Sequence, residues 1–345
     1  MKKLLALILL TSSLSQAQET VSLFDGKTLD GWQAVDAAKI KYWSVIDGVI
    51  TASNGKQKMP VNTYLATKKN YQNFEFTCKF RLSGDHATGL INSGIQYRSL
   101  MQKTPKRGVH KIIGYQADIG KGYWGDIYDE HRRGKLVKGN TKELLKDFKE
   151  DGWNDYKIVC QDNNHKLYIN GHLTVNYDEL DKNIANSGVI ALQLHSGGIA
   201  KMEYKDISIK EYPATPLALP LGVAASEAKI HGKGLRLQAG SFIVAWNKTG
   251  DYLEWTVPAH VKSGGYSIVL NYSCDTNRQG SDMSFSNGVL GIDFKTVGKK
   301  KKWSASKHNI GKMNLKPGDK LLLKCNKIKA DWVLDFRGIE FEPIK

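Results

Sequence analysis

Phe74-Glu75-Phe76-Thr77-Cys78-Lys79-Phe80-Arg81-Leu82 alternates apolar and polar side chains without a break. A period of two puts Phe74, Phe76, Cys78, Phe80 and Leu82 on one face and the charged residues on the other, the pattern of a β-strand with one buried side. The same alternation recurs at Tyr156–Cys160 and Tyr266–Cys274. Turn signals sit between such runs at Asp47-Gly48, Asp162-Asn163-Asn164, Gly264-Gly265 and Asn287-Gly288. Asn170-Gly171, between Leu167-Tyr168-Ile169 and Leu173-Thr174-Val175, is the dipeptide that a two-residue hairpin turn prefers. Many short strands at this spacing predict an all-β chain built of β-sandwiches. One helix is expected, over Thr141–Phe148, where Leu144, Leu145 and Phe148 share a face.

The 345 residues leave room for two domains. Tyr212–Leu221 holds three of the chain's eight prolines, which bars it from a central strand and suits a stiff linker. The expected division is a first sandwich over 21–211, a linker over 212–222 and a second sandwich over 223–345. Residues 1–17 read as a leader: Lys2 and Lys3 precede the apolar run Leu4–Leu10, and Ser15-Gln16-Ala17 supplies small residues for cleavage. That run is too short for a membrane span, which takes roughly 20 residues. The first cysteine is Cys78, so a lipoprotein cleavage site is absent from the leader. The expectation is a periplasmic or secreted protein without a membrane span.

The cysteines, Cys78, Cys160, Cys274 and Cys325, fall two to each predicted domain. Export permits disulfides, but Cys78 and Cys160 lie in phase with apolar neighbours and read as small core residues. The net charge is +16, and Lys299–Lys302 is the one dense basic run. No RNA-binding aromatic motif surrounds it, which argues against nucleic acid and for a solvated face or an anionic envelope polymer.

In the first predicted domain, a series of segments resembles the 3-keto-disaccharide hydrolase family (domain of unknown function 1080). They run in the family's order: Leu23-Phe24-Asp25-Gly26-Lys27, Leu29-Asp30-Gly31-Trp32, Trp43–Ile50, Phe74–Ser83, Asn92-Ser93-Gly94-Ile95, Tyr97-Arg98, Gly114–Asp118, Trp153–Tyr156, Ile190–Gly197 and Ile207–Glu211. The resemblance implies a concanavalin-like jelly roll and cleavage of glycosides already oxidised at C3 of the sugar. Many relatives carry Glu-x-Gln where this chain has Gln116-x-Asp118, so the carboxylate stands one pleat along. The second predicted domain, through Gly250–Trp255, Gly264–Ile268, Trp303 and Trp332–Phe336, resembles a carbohydrate-binding module of the galactose-binding jelly-roll type. A fold shared by many ligand classes does not name a ligand.

Three predicted strands of the first domain carry polar residues at i and i+2: Gln96 and Arg98, Gln116 and Asp118, Gln193 and His195. If these strands are neighbours, the six side chains form a polar floor on one sheet face. A face that merely meets water is the plainer explanation, but it favours Lys, Glu and Thr over amides, Arg and His. The segment Gly120–Arg133 reads as a loop folding over that floor and adds Tyr123, Trp124, Tyr128, Asp129, Glu130, Arg132 and Arg133; Trp124 or Tyr123 is expected to stack on a sugar ring, and the alternative for both is a plug at the sandwich edge. His165 and His172 flank a hairpin turn and are expected at the surface. In the second domain Trp303, with Trp246 and Tyr252 behind it, is the candidate for stacking on a sugar, whereas Trp255 and Trp332 read as core.

A ketone at C3 acidifies the C2 hydrogen. Removing that proton lets the glycosidic oxygen leave, and water then adds to the enone. This needs a base, a group that polarises the ketone, and an acid for the leaving oxygen. The candidates are Asp118 or His195 as base, Arg98 as polariser, and Glu130 or Asp129 as acid. Gln96, Gln116, Gln193, Trp124, Tyr128, Arg132 and Trp303 are candidates for substrate binding. No cofactor is expected; a divalent metal shared by His195 and Asp118 would suit the chemistry, although no paired-His spacing supports one. The carboxylate pairs of ordinary jelly-roll glucanases, and the serine-hydrolase, Walker and dinucleotide fingerprints, are missing. Two further readings stand beside the enzyme: a non-catalytic glycan-binding protein, and an envelope protein whose basic surface meets anionic polymer.

Overall fold

The structure is a computed structural model that describes residues 19–102, 110–213, 221–238, 242–299 and 305–344. The leader, most of the proline-rich segment and Trp303 lie outside the described residues. Within them the chain is all-β, and strands pair antiparallel into four sheets. An eight-stranded and a seven-stranded sheet are built from residues 20–211, and a six-stranded and a five-stranded sheet from residues 222–343. No helix among the described residues is long and apolar enough to cross a membrane.

Phe74–Asp85 forms the long strand that the alternation predicts, and its burial alternates residue by residue to Leu82. It lies in the middle of the eight-stranded sheet, between Asn154–Gln161 and Ile199–Glu211. Its inward side chains Phe74, Phe76, Cys78, Phe80 and Leu82 meet Tyr156, Ile158 and Cys160 from one neighbour. The facing sheet contributes Ile95, Tyr97, Tyr115, Ala117, Ile119, Leu192 and Leu194. Burying each phenylalanine is worth about 2–3 kcal/mol. All four cysteines are buried and unbridged. Asp47-Gly48 and Asn170-Gly171 both take positive φ at both residues, as tight hairpins with the right-handed strand twist require.

The expected helix over Thr141–Phe148 is instead a single 3-10 turn, Leu144–Lys146. Its buried residue is Leu144, while Leu145 is exposed, so one short turn rather than an amphipathic face meets the core.

The seven-stranded sheet runs in the order Gly134–Val137, Ile127–Glu130, Ile112–Gly120, Asn92–Met101, Val189–Leu194, Thr63–Thr67, Trp32–Ala34. Asn92–Met101 does not alternate throughout. Its register with Ile112–Gly120 shifts between Tyr97 and Leu100, and Arg98 takes φ 45°. A bulge of this kind turns one side chain out of phase. Arg98 therefore leaves the face that Gln96 occupies. Its Nε donates to the carbonyl of Gln72 (2.7 Å), Nη1 to that of Asp162 (2.7 Å) and Nη2 to Asn73 Oδ1 (3.1 Å). His165, expected at the surface, is 1 % exposed and packs among Tyr97, Tyr115 and Tyr177. Burial and the charge of Arg98 push its pKa well down, so this ring is neutral.

Beside it lies a second buried ionic group. Arg133 bonds both Asp129 and Glu179, and Tyr115 and Tyr177 donate to Glu179 as well. Burial alone would raise the Glu179 carboxyl, but Arg133 holds it below its ordinary value. From this corner the chain meets the second pair of sheets: Lys307 bridges Asp178 (2.7 Å) and Glu340 (2.8 Å), and Ser226 donates to Asp181 (3.1 Å).

Arg98→Ala would take a charged donor from the Gln72 and Asp162 carbonyls and one of the two donors from Asn73 Oδ1, which keeps the Asp162 N–H. The expected loss is about 3–5 kcal/mol of stability, read by denaturant unfolding. Arg98→Lys should recover only part of it, because one ammonium cannot reproduce the planar fork.

Candidate active site

One face of the seven-stranded sheet packs into the core; the other is where the polar pairs meet. Antiparallel register fixes which side chains share a row. Asp118 stands opposite Gly94, Gly94 opposite Gln193, and Gln193 opposite Tyr64. The next row is Tyr128, Gln116, Gln96, Ala191 and Ala66. Glu130 follows, opposite Gly114. Five of the residues singled out in the sequence (Gln96, Gln116, Asp118, Gln193 and Tyr128) thus share one floor, with Glu130 at its rim. His195 lies just past the Val189–Leu194 strand, half-buried, its N–H donating to Asn92 O and its Nδ1 2.7 Å from Ser196 O.

The amides of the floor form a directed chain. Ser99 Oγ donates to Gln96 Oε1 (3.1 Å), Gln96 Nε2 to Gln116 Oε1 (2.7 Å), and Gln116 Nε2 to Asp118 Oδ1 (2.6 Å). Each amide uses its carbonyl toward Ser99 and its N–H toward Asp118, so the two glutamines cannot flip without breaking two bonds. Two glycines make room for this chain. A Cβ on Gly94 would stand 2.6 Å from Gln116 Cγ, and one on Gly114 2.5 Å from Ser99 Oγ.

Asp118 is 5 % exposed, and burial pushes its carboxyl up to about 8 against the lowering bond from Gln116. The nearby charges of Asp126 and Glu130 push the same way, and Lys135 opposes them. Among the described residues, hydrogen bonds reach Oδ1 alone. Glu130 is also raised, by burial and then by the charge of Asp129. Glu130 in turn raises Asp118, Tyr128 and Tyr64. The charge of Glu130 is thus felt across the floor, from Ile127–Glu130 to Thr63–Thr67.

The turn after the Ile112–Gly120 strand is pinned close to Asp118. Gly125 N donates to Asp118 O, and Asp118 N to Asp126 O. Asp126 is itself held by Lys135, Lys138 and the Gly139 N–H.

Other candidates go elsewhere. Arg98 points away from the floor, as above, and cannot polarise a ketone there. Asp129 pairs with Tyr115 across the core-facing side and is bound by Arg132 and Arg133, whereas Glu130 is free of arginine and has His131 Nε2 at 3.4 Å from its Oε1. Arg132 lies over the Tyr115 ring at 5.1 Å rather than over the floor. Trp124 packs on Phe148, ring centroids 4.3 Å apart, and plugs the sandwich edge. Tyr123 is exposed and covered by Lys135 and Lys138. In the second pair of sheets Trp246 is fully buried core, Tyr252 stacks on His231, and Trp332, half-buried, lies under Arg278. Trp255 is core.

Sequence reasoning did not single out Tyr64, Asn62 or Ser99, and met Gly94 only inside the family-like segment Asn92–Ile95. Tyr64 stands in Thr63–Thr67, where every residue is buried, so no alternation marks it. Its hydroxyl accepts from Asn62 Nδ2 (3.3 Å) and Gln193 Nε2 (3.2 Å). Gln193 is fully buried, and its Oε1 has no partner among the described residues. Among the described residues no group of three or more His, Cys, Asp or Glu side chains is placed to hold a metal ion.

A putative glycosyl hydrolase from Parabacteroides distasonis ATCC 8503 aligns with 56 % of this chain and 94 % of its own, at 20 % identity and TM-score 0.41. A second from the same organism covers 56 % and 100 %, at 19 % identity and TM-score 0.39. The carbohydrate-binding module CBM66 of Bacillus subtilis covers 52 % and 96 %, at 12 % identity and TM-score 0.37. None of the curated proteins matches the chain. Residues 19–210, more than half of the sequence and the whole of the floor, match the carbohydrate-active family described as the 3-keto-alpha-glucoside-1,2-lyase-like domain, and the chain belongs to that family.

Proposed function

We propose that the floor of the first sandwich cleaves glycosides that carry a ketone at C3, by elimination across C1–C2 followed by hydration. The observation that carries this reading is Asp118: a buried carboxyl held through Oδ1 by a directed amide chain, with a pKa raised to about 8. A base for a ketone-activated C–H works best when its pKa lies near the working pH. Asp118 takes the C2 proton, and the C–H electron pair becomes a C2–C3 double bond with the charge on the ketone oxygen. As the carbonyl re-forms, the electrons move to C1–C2, the C1–O bond breaks, and the leaving oxygen takes a proton from Glu130. Burial keeps Glu130 protonated to higher pH than an exposed glutamate, which suits it as that acid. Water then adds its oxygen to C1 and a proton to C2, giving the free 3-keto sugar.

The leader-like residues 1–17 support action outside the cytoplasm, where the ketone would be installed by a separate sugar-oxidising reaction. The second pair of sheets, joined to the first through Lys307 and Ser226, would hold the enzyme near glycan or an anionic envelope polymer.

The test is release of 3-keto-glucose from 3-keto-trehalose or 3-keto-glucosides, beside the unoxidised sugars. Turnover of the keto form alone is the expected result. Saturable sugar binding without turnover of any substrate would make the protein a lectin. Asp118→Asn should abolish turnover and raise the melting temperature by a few degrees. The sign of the second effect follows from burial: between about pH 4, where an unfolded aspartate ionises, and about pH 8 the folded protein holds a proton that the unfolded chain has released. Folding therefore weakens as pH rises through that window, and Asn removes the penalty. In the wild type, kcat/KM should climb with pH toward about 8 as the base ionises.

Gly94→Ala tests the amide chain from a distance. The new methyl must push Gln116 off its bond to Asp118. The expected result is a drop in kcat/KM of about tenfold or more with a displaced pH profile. An unchanged profile would show that the chain does not tune Asp118.

A further inference from the structure

Where the two pairs of sheets meet, Leu180 of the first fills the space above two glycines of the second. A Cβ on Gly338 would stand 2.7 Å from Leu180 Cδ1, and one on Gly222 3.2 Å from Leu180 Cδ2. Phe242, from the second pair, packs against the first core. Beside these contacts lies a cleft of about 370 Å³, lined by Asp178 and Asp181 on one side and by Phe242, Asn271 and Arg337 on the other. We propose that this cleft binds a sugar acid, with Arg337 holding the carboxylate and the neighbouring acids the hydroxyls. The site is independent of the reaction proposed above.

Arg337 is the observation that carries this. Along Asp335–Pro343 the register with Gly264–Ser273 shifts: Asn271 pairs with Gly338 and Tyr272 with Phe336, so Arg337 is the extra residue of a bulge. Its guanidinium lies over the Phe242 ring, Cζ 4.0 Å from the centroid, which holds it in place. Its Nε is buried without a hydrogen-bond partner, and among the described residues the group forms no ion pair. Burial pulls its pKa down to about 10; Tyr177 and Asp335 oppose that shift and Arg133 adds to it. At neutral pH the group is still charged. A buried cation short of a counter-ion is unfavourable, and an incoming anion relieves it. The guanidinium edge matches a planar carboxylate, which takes two parallel N–H bonds.

The acids that line the cleft are already held by other groups. Glu179 is bound by Arg133, Tyr115 and Tyr177. Asp178 accepts from Lys307 and Asn164, and Asp181 from Ser226 and from the Asn183 N–H and amide. Their remaining lone pairs select the kind of anion. A carboxylate offers about four acceptor sites, so Asp178 and Asp181 keep room for hydroxyl donors. The same negative charge repels a doubly charged phosphate or sulfate more strongly than a single carboxylate. Asn271, 7 % exposed, makes no side-chain hydrogen bond among the described residues and can both give and accept. Leu136, Leu180 and Phe242 complete the wall with apolar surface, which suits the C–H face of a ring. A single carboxylate on a hydroxyl-rich ring meets all of these demands.

A ligand in this cleft touches both pairs of sheets. It braces the joint that Lys307 and Ser226 already fasten, and it binds the folded chain alone, so it raises the melting temperature.

D-glucuronate is titrated into the purified protein by calorimetry at constant ionic strength, beside glucose, acetate and sulfate, and melting temperatures are followed. The expected result is saturable binding of glucuronate, with a rise of about 5 °C in melting temperature at a hundredfold excess over its dissociation constant. Arg337→Met should weaken that binding about tenfold or more. Arg337→Lys, which keeps the charge and loses the fork, should weaken it severalfold, and it carries the test if Arg337→Met does not fold. Methyl β-D-glucuronide separates the sources: binding of glucuronate alone points to a free sugar acid, and binding of both to the end of an acidic glycan. Three outcomes overturn the assignment: no saturable binding to the wild type, unchanged affinity in the folded variants, which places the anion elsewhere on the basic surface, or sulfate binding as tightly as glucuronate.

Discussion

Burying a carboxyl group on the face of a sheet is unfavourable, and much of the first sandwich is arranged around doing so at Asp118. One charge-assisted bond from Gln116 fixes one oxygen, and burial lifts the pKa to about 8. That bond depends on Gln96, which depends on Ser99, and all three depend on Gly94 and Gly114 carrying no side chain. A chain of amides that each give and accept along one direction has a single low-energy arrangement. The carboxyl is therefore positioned by the sheet itself rather than by a loop.

Two kinds of buried polarity coexist in this sandwich, and they differ in how completely they are satisfied. On the core side, Arg98 is bonded by Gln72, Asp162 and Asn73, and Arg133 by Asp129 and Glu179. These groups fasten the strand ends and have little capacity to spare. On the floor, the Gln193 side-chain amide reaches Tyr64 Oη and leaves one of its own polar atoms without a partner among the described residues. A fold retains incompletely satisfied polar groups at some cost, and in a carbohydrate-active domain the floor is where such groups would meet those of a ligand.

The bulge at Arg98 separates these two sets. Without it, simple alternation would put the guanidinium on the floor beside Gln96. With φ 45° at Arg98 and the register shifted before Leu100, the guanidinium turns toward Asp162 and the loop around Asn73.

The all-β class, the hairpins at Asp47-Gly48 and Asn170-Gly171, and the polar pairs of Gln116 with Asp118 and of Gln193 with its strand could be read from the sequence, because alternation and turn chemistry are local properties of neighbouring residues. The side chains whose fate depends on another strand could not. Arg98 was turned by a bulge set by its partner strand; His165 flanks a turn yet points into a cage of tyrosines; Trp124 found Phe148 instead of the floor. Tyr64 sits in a wholly buried strand, and only its register with Gln193 reveals that one of its faces is the floor. The sequence by itself determined which segments are strands and which residue types could do the chemistry. The tertiary structure decided which of them stand together, because register and bulges belong to pairs of strands and are written in neither strand alone.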